Sequence, residues 1–103
     1  MAQTVPRSFV ASPEIHRVVA QDNQYLVIES NWKPGQRDKF HSTPAYLSYN
    51  VTDCHLRRHL PVGQIVDYGT APAGYAAQMQ AVDSYAVENV GKSDCRVITF
   101  APK

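Results

Sequence analysis

Several things are scarce in this 103-residue chain, and each scarcity excludes something. Charge of one sign is scarce: ten Lys and Arg stand against nine Asp and Glu, a net charge of +1. There is no basic block and no acidic tail, so neither nucleic acid nor an anionic membrane surface is expected as a partner. Long apolar runs are absent, and none approaches the roughly 18 residues of a membrane span. The N-terminus, Met-Ala-Gln-Thr-Val-Pro-Arg, lacks the charged-then-apolar pattern of a leader, so a cytoplasmic location is expected. Cysteine is limited to Cys54 and Cys95, neither in a C-x-x-C frame. The expectation is two reduced thiols rather than a metal pair. Helical periodicity is missing too: no 11-residue window carries apolar residues at a 3.6-residue period. There is no phosphate-cradling glycine loop, no Gly-x-Ser-x-Gly elbow and no H-E-x-x-H.

What is present is a globular balance of one-domain length, with 44% apolar residues. Residues 1–13, with Pro6 and Pro13, read as an N-terminal arm that pairs with a neighbouring segment or subunit. Residues 14–103 read as a single domain. Tyr25 to Trp32 is rich in β-branched and aromatic residues and reads as a strand, stopped by Lys33-Pro34-Gly35. Further strands are expected over 14–20, 45–51, 54–60, 64–68, 76–80, 84–89 and 95–100. Pro and Gly punctuate them throughout. Many short strands with regular turn signals predict an all-β sandwich or barrel.

Two spaced motifs then resemble those of the small single-domain cupins. Gly35 is followed after five residues by His41, Thr43 falls where that family has a second His, and Leu47 and Cys54 fall at its Glu and closing Gly. Downstream, Gly74 is followed after ten residues by Tyr85, where the family has a third His, and then by Asn89. The resemblance covers residues 14 to 101. It implies a jelly-roll barrel, a double-stranded β-helix, commonly assembled as a homodimer. The family's usual metal is held by three His and one Glu. Of those four positions only His41 keeps its ligand type, so neither metal nor other cofactor is expected. His16, His55 and His59 lie outside the motifs and are expected to point elsewhere.

If the strand mapping holds, His41, Thr43 and Tyr85 converge at the barrel centre. Imidazole titrates near neutrality, and a phenol can donate to a developing oxyanion. His41 and Tyr85 are therefore the candidate catalytic pair. Leu47 and, two residues on, Tyr49 are expected on the same inward face. Gln78 and Gln80 share a face whose direction the sequence leaves open; pointing inward, they would bind substrate beside Thr43. Arg58, on the face of Leu56 and Leu60, is a candidate carboxylate clamp. His55, Arg57 and His59 form a row expected to be solvated.

Three readings stay open. One is a cupin that binds a small organic molecule and isomerises, cleaves or cyclises it without a metal. Another is a non-catalytic binding or sensing module. The last is a metal-dependent oxygenase or isomerase with an unusual ligand set.

Overall fold

Tyr25–Trp32 shows how this chain makes a strand. Leu26, Ile28, Ser30 and Trp32 are buried and their neighbours are not, the two-residue period of a sheet with one covered face. In a computed structural model describing residues 5–103, nine such segments follow a one-turn helix, α1 (Ser8–Ala11). They are β1 (His16–Gln21), β2 (Tyr25–Trp32), β3 (His41–Thr43), β4 (Tyr46–Asn50), β5 (Cys54–His59), β6 (Ile65–Ala71), β7 (Ala76–Met79), β8 (Val82–Asn89) and β9 (Cys95–Pro102).

They form two antiparallel sheets, ordered β1-β2-β9-β4-β7 and β3-β8-β5-β6. The architecture is the all-β jelly roll of a cupin. The buried apolar cluster between the sheets includes Ile15, Trp32, Tyr85, Val87 and Val97. No described helix is long and apolar enough to cross a membrane.

The expected strands are present with shifted ends, and β3 is an addition. Three residues are too few for alternation to register. Pairing makes this strand, with His41 directly opposite Tyr85 on β8. Its outer edge is covered from the N-terminal side: Arg7 bridges Ser42 in parallel, and the Ser42 N–H donates to Pro6 O at 2.8 Å. An otherwise open strand edge is thereby partly occupied. Residues 1–4 of the expected arm lie outside the described residues.

The turn at Pro34-Gly35 needs its glycine, because Gly35 sits at φ 79°. Its N–H donates to Asn89 O at 2.9 Å. Buried Asn89 in turn clamps the turn after β8: its amide donates to Trp32 O and Ser93 O, and its Oδ1 accepts from Gly91 N.

The cysteine expectation is corrected here. Cys54 and Cys95 form a disulfide, with Cα atoms 5.0 Å apart. They face each other across the core, from β5 in one sheet and β9 in the other. A separation of 41 residues hides this in the sequence. On chain-entropy grounds a closed loop of that size contributes about 4 kcal/mol.

Candidate functional site

The two sheets enclose a cavity of about 330 Å³. Edge strands β6 and β7 contribute to its wall, together with inner faces of β3, β4, β8 and β9. Its lining is mainly apolar and aromatic, with a few hydroxyl and imidazole groups. This is the usual character of a small-molecule site.

A row of side chains crosses the four-stranded sheet. His41 and Tyr85 have ring centroids 4.4 Å apart. On the far side of Tyr85 the Arg58 guanidinium lies 4.8 Å from its ring centroid and 5.4 Å from that of Tyr68. Register explains the row. Arg58 pairs with Val87 and with Val66, so Tyr85 and Tyr68 are its diagonal neighbours on the same face.

His41 is buried and lines the cavity. Its Nδ1 donates to Lys39 O at 2.8 Å. A carbonyl can only accept, so Nδ1 carries the hydrogen and Nε2 keeps its lone pair in the neutral ring. Burial lowers the His41 pKa below 6.5, opposed by nearby Asp38, which raises it. Tyr85 is pushed the other way: burial, then the neighbouring Tyr46, raise its pKa far above 10.0. Burial also raises Tyr46, whose hydroxyl sits against that of Tyr85. The site therefore sets a neutral imidazole beside phenols that keep their protons.

Behind His41 lies a group the sequence reading missed. The Asp38 carboxylate is 0% exposed. Its Oδ2 accepts from His16 Nε2 at 2.8 Å and from the Trp32 indole at 3.3 Å. Its Oδ1 accepts from Val87 N at 2.7 Å. The other nitrogen of His16, Nδ1, meets Ser30 Oγ at 2.6 Å. His16 was expected to point elsewhere; its ring lies 5.5 Å from His41 and lines the same cavity. The one available signal was Asp38 itself, a charged residue three positions before His41.

Two sets of side chains lie where a cation could be sought. At the cupin motif positions, Thr43 Oγ1 donates to Pro44 O at 2.8 Å, and Leu47 is 53% exposed on the outer face. Those positions cannot enclose a cation. His16, Asp38 and His41 offer donor atoms within 4.8 Å of one another. His16 Nε2 and Asp38 are bonded to each other, and Asp38 also to Val87 N, while His41 keeps Nε2 available beside its Nδ1 bond to Lys39 O. A cation held by all three would have to displace the His16–Asp38 bond, which as arranged joins the two side chains directly.

Of the expected ligand-binding residues, Thr43 lines the cavity, and Arg58 stands at its wall between two lining rings. Four others face away, contrary to the inward placement expected or entertained for them. Leu47 and Tyr49 are 53% and 50% exposed, while Tyr46, Ser48 and Asn50 of the same strand line the cavity. The chain changes sheets between β3 and β4 at Pro44-Ala45, so inward parity counted from His41 does not carry across. An odd-residue slip exchanges the two faces of a strand. Gln78 pairs with Leu47 and shares its outward face, leaving Ala77 and Met79 inside. Gln80 lies beyond the end of β7 and is exposed. The His55, Arg57 and His59 row is tied to Asp67 and Glu88, each at 2.8 Å.

No protein-family model and no curated protein sequence matches this chain. Solved structures do, at the level of fold. A cupin domain from Bordetella pertussis Tohama I is similar over 99% of both chains, with 17% identity and a TM-score of 0.75. A conserved protein with a double-stranded β-helix domain from Klebsiella pneumoniae is 22% identical, covering 85% of this chain and 76% of that one, with a TM-score of 0.62. The polyketide cyclase RemF from Streptomyces resistomycificus is 16% identical over 99% of this chain and 78% of that one, with a TM-score of 0.63.

Proposed function

We propose that this chain, a small cupin fold, binds a small organic molecule between its sheets and moves protons on it without a metal. His41 is the base and Tyr85 the hydrogen-bond donor. The observation that carries this reading is the pair itself: a buried imidazole whose Nε2 lone pair is left available, 4.4 Å from a phenol that stays protonated.

The chemistry follows from those states. His41 Nε2 takes a proton from a carbon next to a carbonyl. The C–H electron pair becomes a C=C bond as the carbonyl π pair moves onto oxygen, and a phenolic O–H donates to the resulting oxyanion. Return of the proton to another carbon is an isomerisation. Expulsion of a leaving group is a lyase step, and attack of the enolate on a second carbonyl closes a ring. Thr43 and Arg58 bind the substrate, joined by Tyr46 and Ser48 in place of the outward-facing residues. The presence of a polyketide cyclase among the similar folds makes ring closure a reasonable first assay.

The test is turnover and binding measured together. His41→Ala is expected to hold ligand with little change and to lose activity by about 10²–10⁴-fold. A variant that binds and turns over like wild type would leave a non-catalytic binding module as the better description.

The reading extends to assembly. On the outer face of the five-stranded sheet, Leu47 and Val27 both pair with Phe100, and Tyr25 stacks on Phe100 at 5.0 Å. Tyr49 adjoins them on the same face. This row of exposed apolar side chains is a surface for a second copy of the chain, giving a homodimer. The disulfide, for its part, favours an oxidising compartment over the cytoplasm expected from the sequence.

A further inference from the structure

Two arginines border the cavity, and neither has a carboxylate partner among the described residues. The ion pairs of this chain use Arg17, Arg57 and Arg96. Arg7 lines the cavity, gives one Nη2 hydrogen to Pro102 O at 3.1 Å and lies over the Phe9 ring. Arg58 stacks against Tyr68 and Tyr85, and its Nε is shut off from solvent with no acceptor. A guanidinium stays charged under all ordinary conditions. Holding one in a partly buried place without a counter-ion is unfavourable, and contact with aromatic faces offsets only part of that.

The rest of the cavity supplies no counter-charge. Not one Asp or Glu is among its lining residues. Asp38, 3.7 Å from His41, is enclosed beside His16 with its oxygens occupied. The charge balance of the site is thus incomplete, and the deficit is negative.

We infer that the ligand is an organic carboxylate with an apolar body, and that Arg58, aided by Arg7, binds its acid group. This rests on the small-molecule reading above and narrows it to a substrate class. Strand order fixes the arrangement: β3, β8 and β5 lie side by side, so His41 and Arg58 flank Tyr85 from opposite sides. A carboxylate held at Arg58 lays the molecule across the Tyr85 hydroxyl toward His41. The substrate that fits has its acid group a few bonds from a carbonyl-activated C–H, as in an apolar oxo acid. A charge-assisted, two-pronged contact to carboxylate is what a guanidinium provides and an ammonium does not.

A matched pair of probes tests this: 2-naphthoate and its neutral amide, 2-naphthamide, titrated calorimetrically into the purified protein at neutral pH. Wild type is expected to bind the acid at least about tenfold more tightly than the amide. In Arg58→Met that preference shrinks to about twofold while amide affinity holds; Arg7→Met reduces it by less, and Arg58→Lys keeps only part. Equal affinity of wild type for acid and amide overturns the inference, and this comparison needs no variant to fold. Full preference retained in both Met variants overturns the assignment to these arginines. Failure of both probes to bind overturns the cavity reading along with it. A normal acid preference together with unimpaired turnover in His41→Ala would remove only the catalytic role.

Discussion

His16 and Asp38 meet at 2.8 Å in the buried core, and their bond ties the first strand of one sheet to the segment that leads into the other. Asp38 is further joined to β8 in both directions, its N–H donating to Val87 O and its Oδ1 accepting from Val87 N. His41, three residues later, takes its place from this anchor.

Asp38→Ala leaves three donors without an acceptor in the interior. We expect a loss of about 3–5 kcal/mol of stability, read from urea unfolding followed by circular dichroism. An unchanged midpoint would show the network to be dispensable.

Inward-facing Tyr85 on β8 and outward-facing Gln78 on β7 make a sharp functional contrast. Tyr85→Phe removes a donor at the reacting centre and is expected to lower kcat by about 10²–10³-fold. Gln78→Ala, on the outer face, is expected to change neither kcat nor ligand affinity. Steady-state kinetics on both variants decides the matter, and a large effect at Gln78 would contradict the described register.

His41 gives a pH signature. Its folded pKa lies below the 6.5 of the free side chain, so below 6.5 the unfolded chain takes up the proton more readily than the folded one. The associated stability is fully present above pH 6.5 and is lost as the pH falls from there through the lower folded value. Melting temperatures across that interval are expected to fall more steeply for wild type than for His41→Gln. Parallel curves would show that His41 does not titrate as its burial requires.

Metal removal is expected to be silent. Dialysis against a strong chelator should leave melting temperature and turnover unchanged, because His16 and Asp38 of the nearest donor set are already hydrogen-bonded to each other. Metal content of untagged protein is the accompanying measurement. A stoichiometric transition metal whose loss abolishes activity would restore the metal-dependent reading.

Reduction of the Cys54–Cys95 bond is expected to lower stability by about 2–5 kcal/mol. Chemical denaturation with and without a thiol reductant measures this, with Cys95→Ser as the genetic equivalent.

Much of the fold is legible from one dimension. β2 alternates so regularly that its buried face can be read residue by residue, and Pro34-Gly35 marks its end. β4 is different. Tyr46, Leu47, Ser48, Tyr49 and Asn50 place an aromatic residue on each face, so alternation cannot say which side is inside. Pairing of Leu47 with Phe100, and of Ser48 with Thr99, decides it. The disulfide and the His16–Asp38 bond are hidden for the same reason. Each joins residues on different strands, and nothing in their local sequence refers to the partner.

By itself, then, the order of residues determined that this is a chain of short strands, and it singled out His41 and Tyr85 at positions of a spaced motif. Those features arise from local preferences and fixed separations along the backbone. Tertiary structure decided which face of each strand turned inward, which acid stood behind which imidazole, and which arginines were left without a counter-charge. Such relations depend on sheet pairing and on the exclusion of water between layers, and both come into being only when distant segments meet.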